Sequence, residues 1–300
     1  MILLAALLAA ASPTEIAAVA PPSAWRAVAP ENLLLLETAR GTMAIELAPD
    51  FAPAHIAAIK ALVAAGQFDG GAITRVQDNY VVQWAARPFP AKAMTANGAA
   101  AMAAGAAATP GGAVPGEGTK PAPLPAEYER PAKGLAITPL GSTDAYAESG
   151  FWNGWPVARD RKSGTAWLAH CYASVGVGRN NPPDTGDGSE LYAVIGHGPR
   201  HLDRNITVVG RVIDGIAGYS SLPRGTADLG FYQTPAEQTP ITRVRLASTF
   251  AGAPRYEVLD SASPAFAAYL KARANRTGFF VRPAGATDLC NVQVPVRRNS

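Results

Sequence analysis

The chain has 300 residues, 48% of them hydrophobic and 16% charged, with 29 Gly, 26 Pro and a formal net charge of +3. So weak a net charge gives no expectation of a nucleic-acid or membrane-surface footprint, because phosphate binding needs several clustered Lys or Arg, and so apolar a composition excludes a wholly disordered chain. Gly and Pro together exceed the ordinary share of roughly 12%, so a local biased stretch is expected, while the length allows one large domain or two.

Ile2 to Ala11 form an apolar run about 15 Å long as a helix, half of what a bilayer core requires. Residues 1–20 therefore read as a signal peptide with candidate cleavage after Ala11 or Ala20, giving a periplasmic or secreted protein without a stable membrane anchor. No Lys or Arg precedes Arg26, which leaves an uncleaved apolar N-terminus as the other reading. Leu33–Glu37 and Thr42–Leu47 read as strands joined at Ala39-Arg40-Gly41; Met43, Ile45 and Leu47 share one face, the period-2 pattern of a half-buried strand. Pro53 suits the first turn of a helix in which Ile56, Ile59, Leu62 and Val63 recur at helical spacing and Gly66 marks the end. A Gly-Gly turn and a short link lead to a strand at Tyr80–Ala85.

From Arg87 to about Pro125 the residues are mostly Ala, Gly, Pro and Thr, too few large apolar groups to offset the entropy of ordering. A mobile insertion over about 87–165 is expected, with Phe151, Trp152 and Trp155 in a partly ordered sequel that covers the domain. Order resumes at Ala166–His170, a loop follows from Gly176 to Ser189, and strands are expected at Leu191–Ile195, Ile206–Val212 and Ile241–Leu246. A helix at Pro264–Ala274, with Phe266, Tyr269 and Leu270 inward, lies in a C-terminal extension, residues 251–300. Strands predominate without βαβ alternation, so the fold class is mainly β, an antiparallel barrel or sandwich with capping helices.

Several chemistries lack their motifs. The sequence has no phosphate-binding Gly-x-x-x-x-Gly-Lys-Ser/Thr loop and no Gly-x-Ser-x-Gly elbow. His197 and His201 are separated by Gly198 and Pro199, which prevents a helix from presenting both to one metal, so neither metal nor cofactor is expected. Cys171 and Cys290 read as two buried thiols or, in an oxidising compartment, as a disulfide tying the C-terminal tail to the domain.

Two blocks of the sequence resemble cyclophilin-type peptidyl-prolyl isomerases. The first is Glu37-Thr-Ala-Arg-Gly-Thr-Met-Ala-Ile-Glu-Leu-Ala-Pro-Asp-Phe-Ala-Pro53, continuing through Ala61–Gly70 and Ile73-Thr-Arg-Val76 to Gln83. The second is Gly186-Asp-Gly-Ser-Glu-Leu-Tyr-Ala-Val-Ile195 with His201-Leu-Asp203 and Thr207–Gly215. The blocks stand in family order and cover about half of the chain. The resemblance implies a closed barrel of about eight antiparallel strands capped by two helices, spanning residues 32–250 around the insertion. It also implies that Arg75 is the catalytic arginine, with Gln83, Tyr80, Val81, Glu190, Tyr192, Leu202 and Ile206 forming the substrate site. Ile73-Thr74, Trp84-Ala85, Glu190 and Ile206 depart from the family pattern, and a Glu190 carboxylate near Arg75 would pair with it.

Rotation about an Xaa-Pro bond meets a barrier of roughly 18–20 kcal/mol from amide conjugation. An apolar pocket for the pyrrolidine ring and a cationic donor for the twisted amide suffice to lower it; removing about 5 kcal/mol gives roughly 10³–10⁴ in rate. The resemblance thus implies an isomerase of exported proline-containing polypeptides, expected as a monomer. The altered pocket keeps a second reading open, a cyclophilin-fold binder or chaperone with little turnover.

Overall fold

Four consecutive leucines, Leu33–Leu36, are all buried because the strand they open is covered on both faces. A computed structural model describes residues 11–86 and 123–299; the apolar run up to residue 10 and the Ala-rich run Ala99–Ala108 lie outside the described residues. Eight antiparallel strands close a barrel in the order Ser174–Val177, Glu190–Val194, Val81–Ala85, Ala72–Val76, Thr239–Leu246, Leu33–Thr38, Gly41–Leu47 and Val208–Asp214. Leu34, Leu36, Met43, Ile45, Val82, Trp84, Val175, Leu191 and Val209 fill its interior. Ile56, Ile59 and Val63 of the helix Pro53–Ala64, and Tyr219 of the short helix Ile216–Ser220, pack against the same core.

The outer face around Leu33, Leu35 and Ala44 is covered by Val28, Tyr256 and Val258. These come from the chain ends: Trp25–Ala27, Arg255–Leu259 and Val296–Asn299 form a three-stranded sheet. The helix Pro264–Ala274 buries Phe266, Tyr269 and Leu270 as its spacing predicts, and the disulfide Cys171–Cys290 joins the extension to the barrel side. The described part of the extension, residues 251–299, thus packs against the barrel side, apart from an exposed loop after the helix. At the other end, Ser12 and Glu15 form a capping box on the helix Pro13–Ala18, and Ala20 and Ala24 enter a buried cluster with Phe151 and Phe266.

The expected partly ordered sequel of the insertion is instead a five-stranded sheet of Arg130–Pro131, Thr138–Pro139, Glu148–Trp152, Trp155–Asp160 and Thr165–Leu168. Its centre is a tight hairpin at Asn153-Gly154, both with positive φ, the strongest short hairpin signal a sequence carries. Phe151 and Trp155 are buried and Trp152 half-buried, packing on Phe266 and Phe51, so the aromatics do cover the domain. Arg211 ties this sheet to the barrel: it pairs with Glu46 at 2.9 Å, donates to the Gly154 carbonyl and stacks 4.3 Å from the Trp155 ring. Two further expectations change: Ala72–Val76 is a strand rather than a link, and the 176–189 loop begins later because Gly176 is paired within Ser174–Val177.

Candidate functional site

Arg75 belongs to a row of outward-facing positions that crosses four strands: Arg75 lies opposite Gln83, Gln83 opposite Tyr192, and Tyr192 opposite Gly176. Alternation along Val81–Ala85 sends Val82 and Trp84 into the barrel and leaves Val81 and Gln83 on the site face. A register shift between Ile73 and Arg75 is the kind of irregularity that re-aims a side chain. Gly176 completes the row by having no side chain: a Cβ there would lie 2.3 Å from the Tyr192 hydroxyl.

Polar groups along the row form a chain. Arg75 Nη1 donates to Gln83 Oε1 at 3.2 Å, and Gln83 Nε2 donates to Glu190 Oε2 at 2.9 Å. Where a Glu190–Arg75 pair is expected, the two are linked through Gln83, and the Glu190 charge acts on Arg75 from there. Arg75 Nη2 donates to Gln77, and Nε donates to the Leu229 carbonyl at 2.7 Å. The guanidinium lies between the rings of Tyr80 and Phe231, 5.4 and 5.2 Å from their centroids. Arg75 is only 2% exposed. Burial lowers its pKa to about 10, against the opposing pull of Tyr80, Tyr192 and Glu190, so it stays cationic at neutral pH.

Beside this chain lies an apolar cluster of Val81, Tyr192, Val194, Leu202 and Ile206, with the half-buried Tyr80 packed on it. Leu202 comes from the turn Arg200–Leu202, and Ile206 precedes the strand Val208–Asp214 rather than opening it. All eight expected site residues are thus brought together. Of the departures from the family pattern, Glu190 and Ile206 line the site, whereas Ile73 and Trp84 point into the barrel core.

Two further groups shape the site. His170, fully buried, holds Asp203 Oδ1 at 3.0 Å through Nδ1 and pairs with the Tyr192 hydroxyl at 3.1 Å through Nε2. A carboxylate only accepts, so Nδ1 carries the proton. Asp203 also accepts from Arg200 Nε at 2.6 Å, Trp167 Nε1 at 3.2 Å and the His170 amide at 2.8 Å. Burial alone would raise the Asp203 pKa, but His170 and Arg200 outweigh it and hold the carboxyl below its ordinary range. Burial raises the Tyr192 pKa well above its ordinary value, which keeps the hydroxyl protonated. Sequence reasoning tested the histidines for metal spacing only and missed this role of His170.

The second missed group is the segment Gly225–Tyr232. Pro240 and Thr239 pair only with Ala72 and Ile73, and beyond them this segment takes over: Tyr232 donates to the Thr74 carbonyl, Gly225 donates to the Val76 carbonyl, and Phe231 bridges Arg75. Leu229 has a φ of +60° and sits in the turn that carries its carbonyl to Arg75. A lone leucine in a turn gives no signal of that placement.

Comparison with known proteins bears on this arrangement. Probable peptidyl-prolyl cis-trans isomerases of Brucella suis biovar 1 and Brucella melitensis biotype 1 are each 44% identical over 54 residues, 18% of this chain. The match spans 28% of the length of each of these relatives. The crystal structure of cyclophilin AquaCyp293 from Hirschia baltica superposes with a TM-score of 0.66 over 96% of this chain and 97% of that one, at 23% identity, a likeness of fold. The family model for cyclophilin-type peptidyl-prolyl cis-trans isomerases matches residues 33–246, the span of the barrel with its site, and the chain belongs to that family.

Proposed function

We propose that the chain is a monomeric peptidyl-prolyl cis-trans isomerase acting on Xaa-Pro bonds of exported polypeptides, with Arg75 as its catalytic residue. The observation that carries this reading is the row Arg75–Gln83–Tyr192 set beside the apolar wall of Val81, Leu202 and Ile206. The proline ring packs on that wall and on Tyr80. The prolyl carbonyl replaces the Leu229 carbonyl at Arg75, and the guanidinium holds the deconjugated amide more tightly than the planar one. Gln83, itself held by Glu190 at 2.9 Å, keeps the guanidinium in position. No bond is broken, so these residues need neither nucleophile nor metal.

One observation favours the second reading, a proline-segment binder with little turnover: Arg75 is buried and already engaged by Leu229. A protease-coupled assay on a short Xaa-Pro peptide separates the two. The first reading expects catalysis that falls at least tenfold in Arg75→Ala; client binding by the wild type with no measurable catalysis would establish the second.

Export is part of the proposal, and the helix Pro13–Ala18 with its Ser12 cap favours cleavage after Ala11, which leaves that helix intact. Mass spectrometry of the mature protein should give Ser12 as the first residue; a chain starting at Pro21 or at Met1 would contradict it.

A further inference from the structure

Beyond the helix Pro264–Ala274 the chain makes a closed protrusion. Gly285 N–H donates to the Ala274 carbonyl at 2.9 Å, bringing the two ends of the intervening loop together. The base is held by the buried Phe266, Tyr269 and Leu270, by the Thr287 amide on Ser142 at 2.9 Å, and by the disulfide at Cys290. The tip is apolar and in water: Phe279 is 92% and Val281 93% exposed, with Phe280 at 39%. The Phe279 and Phe280 rings meet edge to face at 5.5 Å, and Arg276 stacks 4.6 Å from the Phe280 ring. Residues 271–286 contain Lys271, Arg273, Arg276 and Arg282 and no Asp or Glu. Asp288, just beyond, is engaged by the Cys290 and Asn291 amides.

We propose that this protrusion is a membrane-surface contact, in which Phe279, Phe280 and Val281 enter the interface of an anionic phospholipid bilayer while Arg276 and Arg282 lie among its phosphates. Charge decides between partners. Four cations without one acid fit a sheet of phosphodiesters, and aromatics beside Arg are the composition of an interfacial anchor. Area points the same way: with Phe280 only 39% exposed, the three side chains offer roughly 400 Å², about half of the roughly 800 Å² that each partner buries in a specific protein interface. Shallow insertion into lipid needs no more than such a tip.

The test is co-sedimentation of the full chain with vesicles of equal parts phosphatidylglycerol and phosphatidylcholine, against phosphatidylcholine alone. Binding is expected at least tenfold stronger on the anionic vesicles and weakened in 0.5 M salt, where screening is short-ranged. The double variant Phe279→Ser/Val281→Ser should lose at least fivefold, as should Arg276→Glu/Arg282→Glu, with unfolding midpoints and isomerase activity on a soluble peptide unchanged. Failure to bind anionic vesicles would overturn the proposal, and so would equal binding by wild type and both variants. Wild-type self-association abolished by Phe279→Ser/Val281→Ser would assign the tip to a second copy of the chain instead.

Discussion

Asp203 gathers donors from two stretches of the chain, Trp167 to His170 and Arg200, and its depressed pKa makes it a source of pH dependence. The sign follows from linkage: a carboxyl with a folded pKa below its unfolded value of about 3.9 stabilises the protein above that value. Its contribution is lost as pH falls through the folded pKa. Urea midpoints should therefore hold from pH 7 to about pH 5 and drop below pH 4. Asp203→Asn should cost about 1–3 kcal/mol at pH 7, because it weakens the buried hydrogen bonds of His170 and Trp167 and leaves Arg200 with Asp144 as its carboxylate partner, and should flatten the acid limb of the profile. An equally steep limb in the variant would assign the acid sensitivity to other carboxylates. The candidate site was legible at this scale through the family resemblance, which pointed to Arg75, Gln83, Val81 and Tyr192, and strand alternation explains why Gln83 and Val81 share a face. His170, Leu229 and Phe231 were not legible, because each reaches the site from a connecting segment and carries no periodicity.

At the scale of elements, the helix Pro53–Ala64 shows how a local signal can be correct and incomplete. Pro53 sits in its first turn as expected, yet Ala52 at the N-cap offers no side-chain acceptor. Glu127 supplies it from just after the Ala-, Gly- and Pro-rich run, accepting from the Ala54 and His55 amides at 2.8 and 3.0 Å and from His55 Nδ1 at 2.7 Å. A carboxylate at that end also meets the positive pole of the helix. Glu127→Ala should lower stability by about 1–2 kcal/mol, read as a shift in the urea midpoint; an unchanged midpoint would show that water replaces the cap. The hairpin Glu148–Asp160 was legible in principle from Asn153-Gly154. It was obscured because the preceding Ala- and Gly-rich run set the expectation for the whole interval. The strand Ala72–Val76 is short and preceded by two glycines, and along one edge its second half pairs with Gly225–Tyr232 rather than with Thr239–Leu246, so no alternation extends far enough to mark it.

For the whole molecule, the two cysteines resolve into a disulfide with a sequence separation of 119. In the chain-entropy account a loop of that size restricts the unfolded state by about 5 kcal/mol at most, with 2–4 kcal/mol typical. Against a total stability of about 5–15 kcal/mol that decides whether the chain stays folded on warming. Reduction, or Cys290→Ser, should lower the urea midpoint correspondingly; equal midpoints with and without reductant would refute this. The three-stranded sheet of the chain ends has a different kind of consequence. Trp25 pairs with Leu259, and Tyr256 with Arg298, so the earliest strand to be synthesised finds its neighbour only when nearly the whole polypeptide exists. The layer over Leu33 and Leu35 is therefore the last to assemble. In an exported chain the barrel keeps an apolar flank uncovered and a strand without its mate until Arg255–Leu259 and Val296–Asn299 have also crossed the membrane, a late-closing seam that defers completion of the fold to the far side of it.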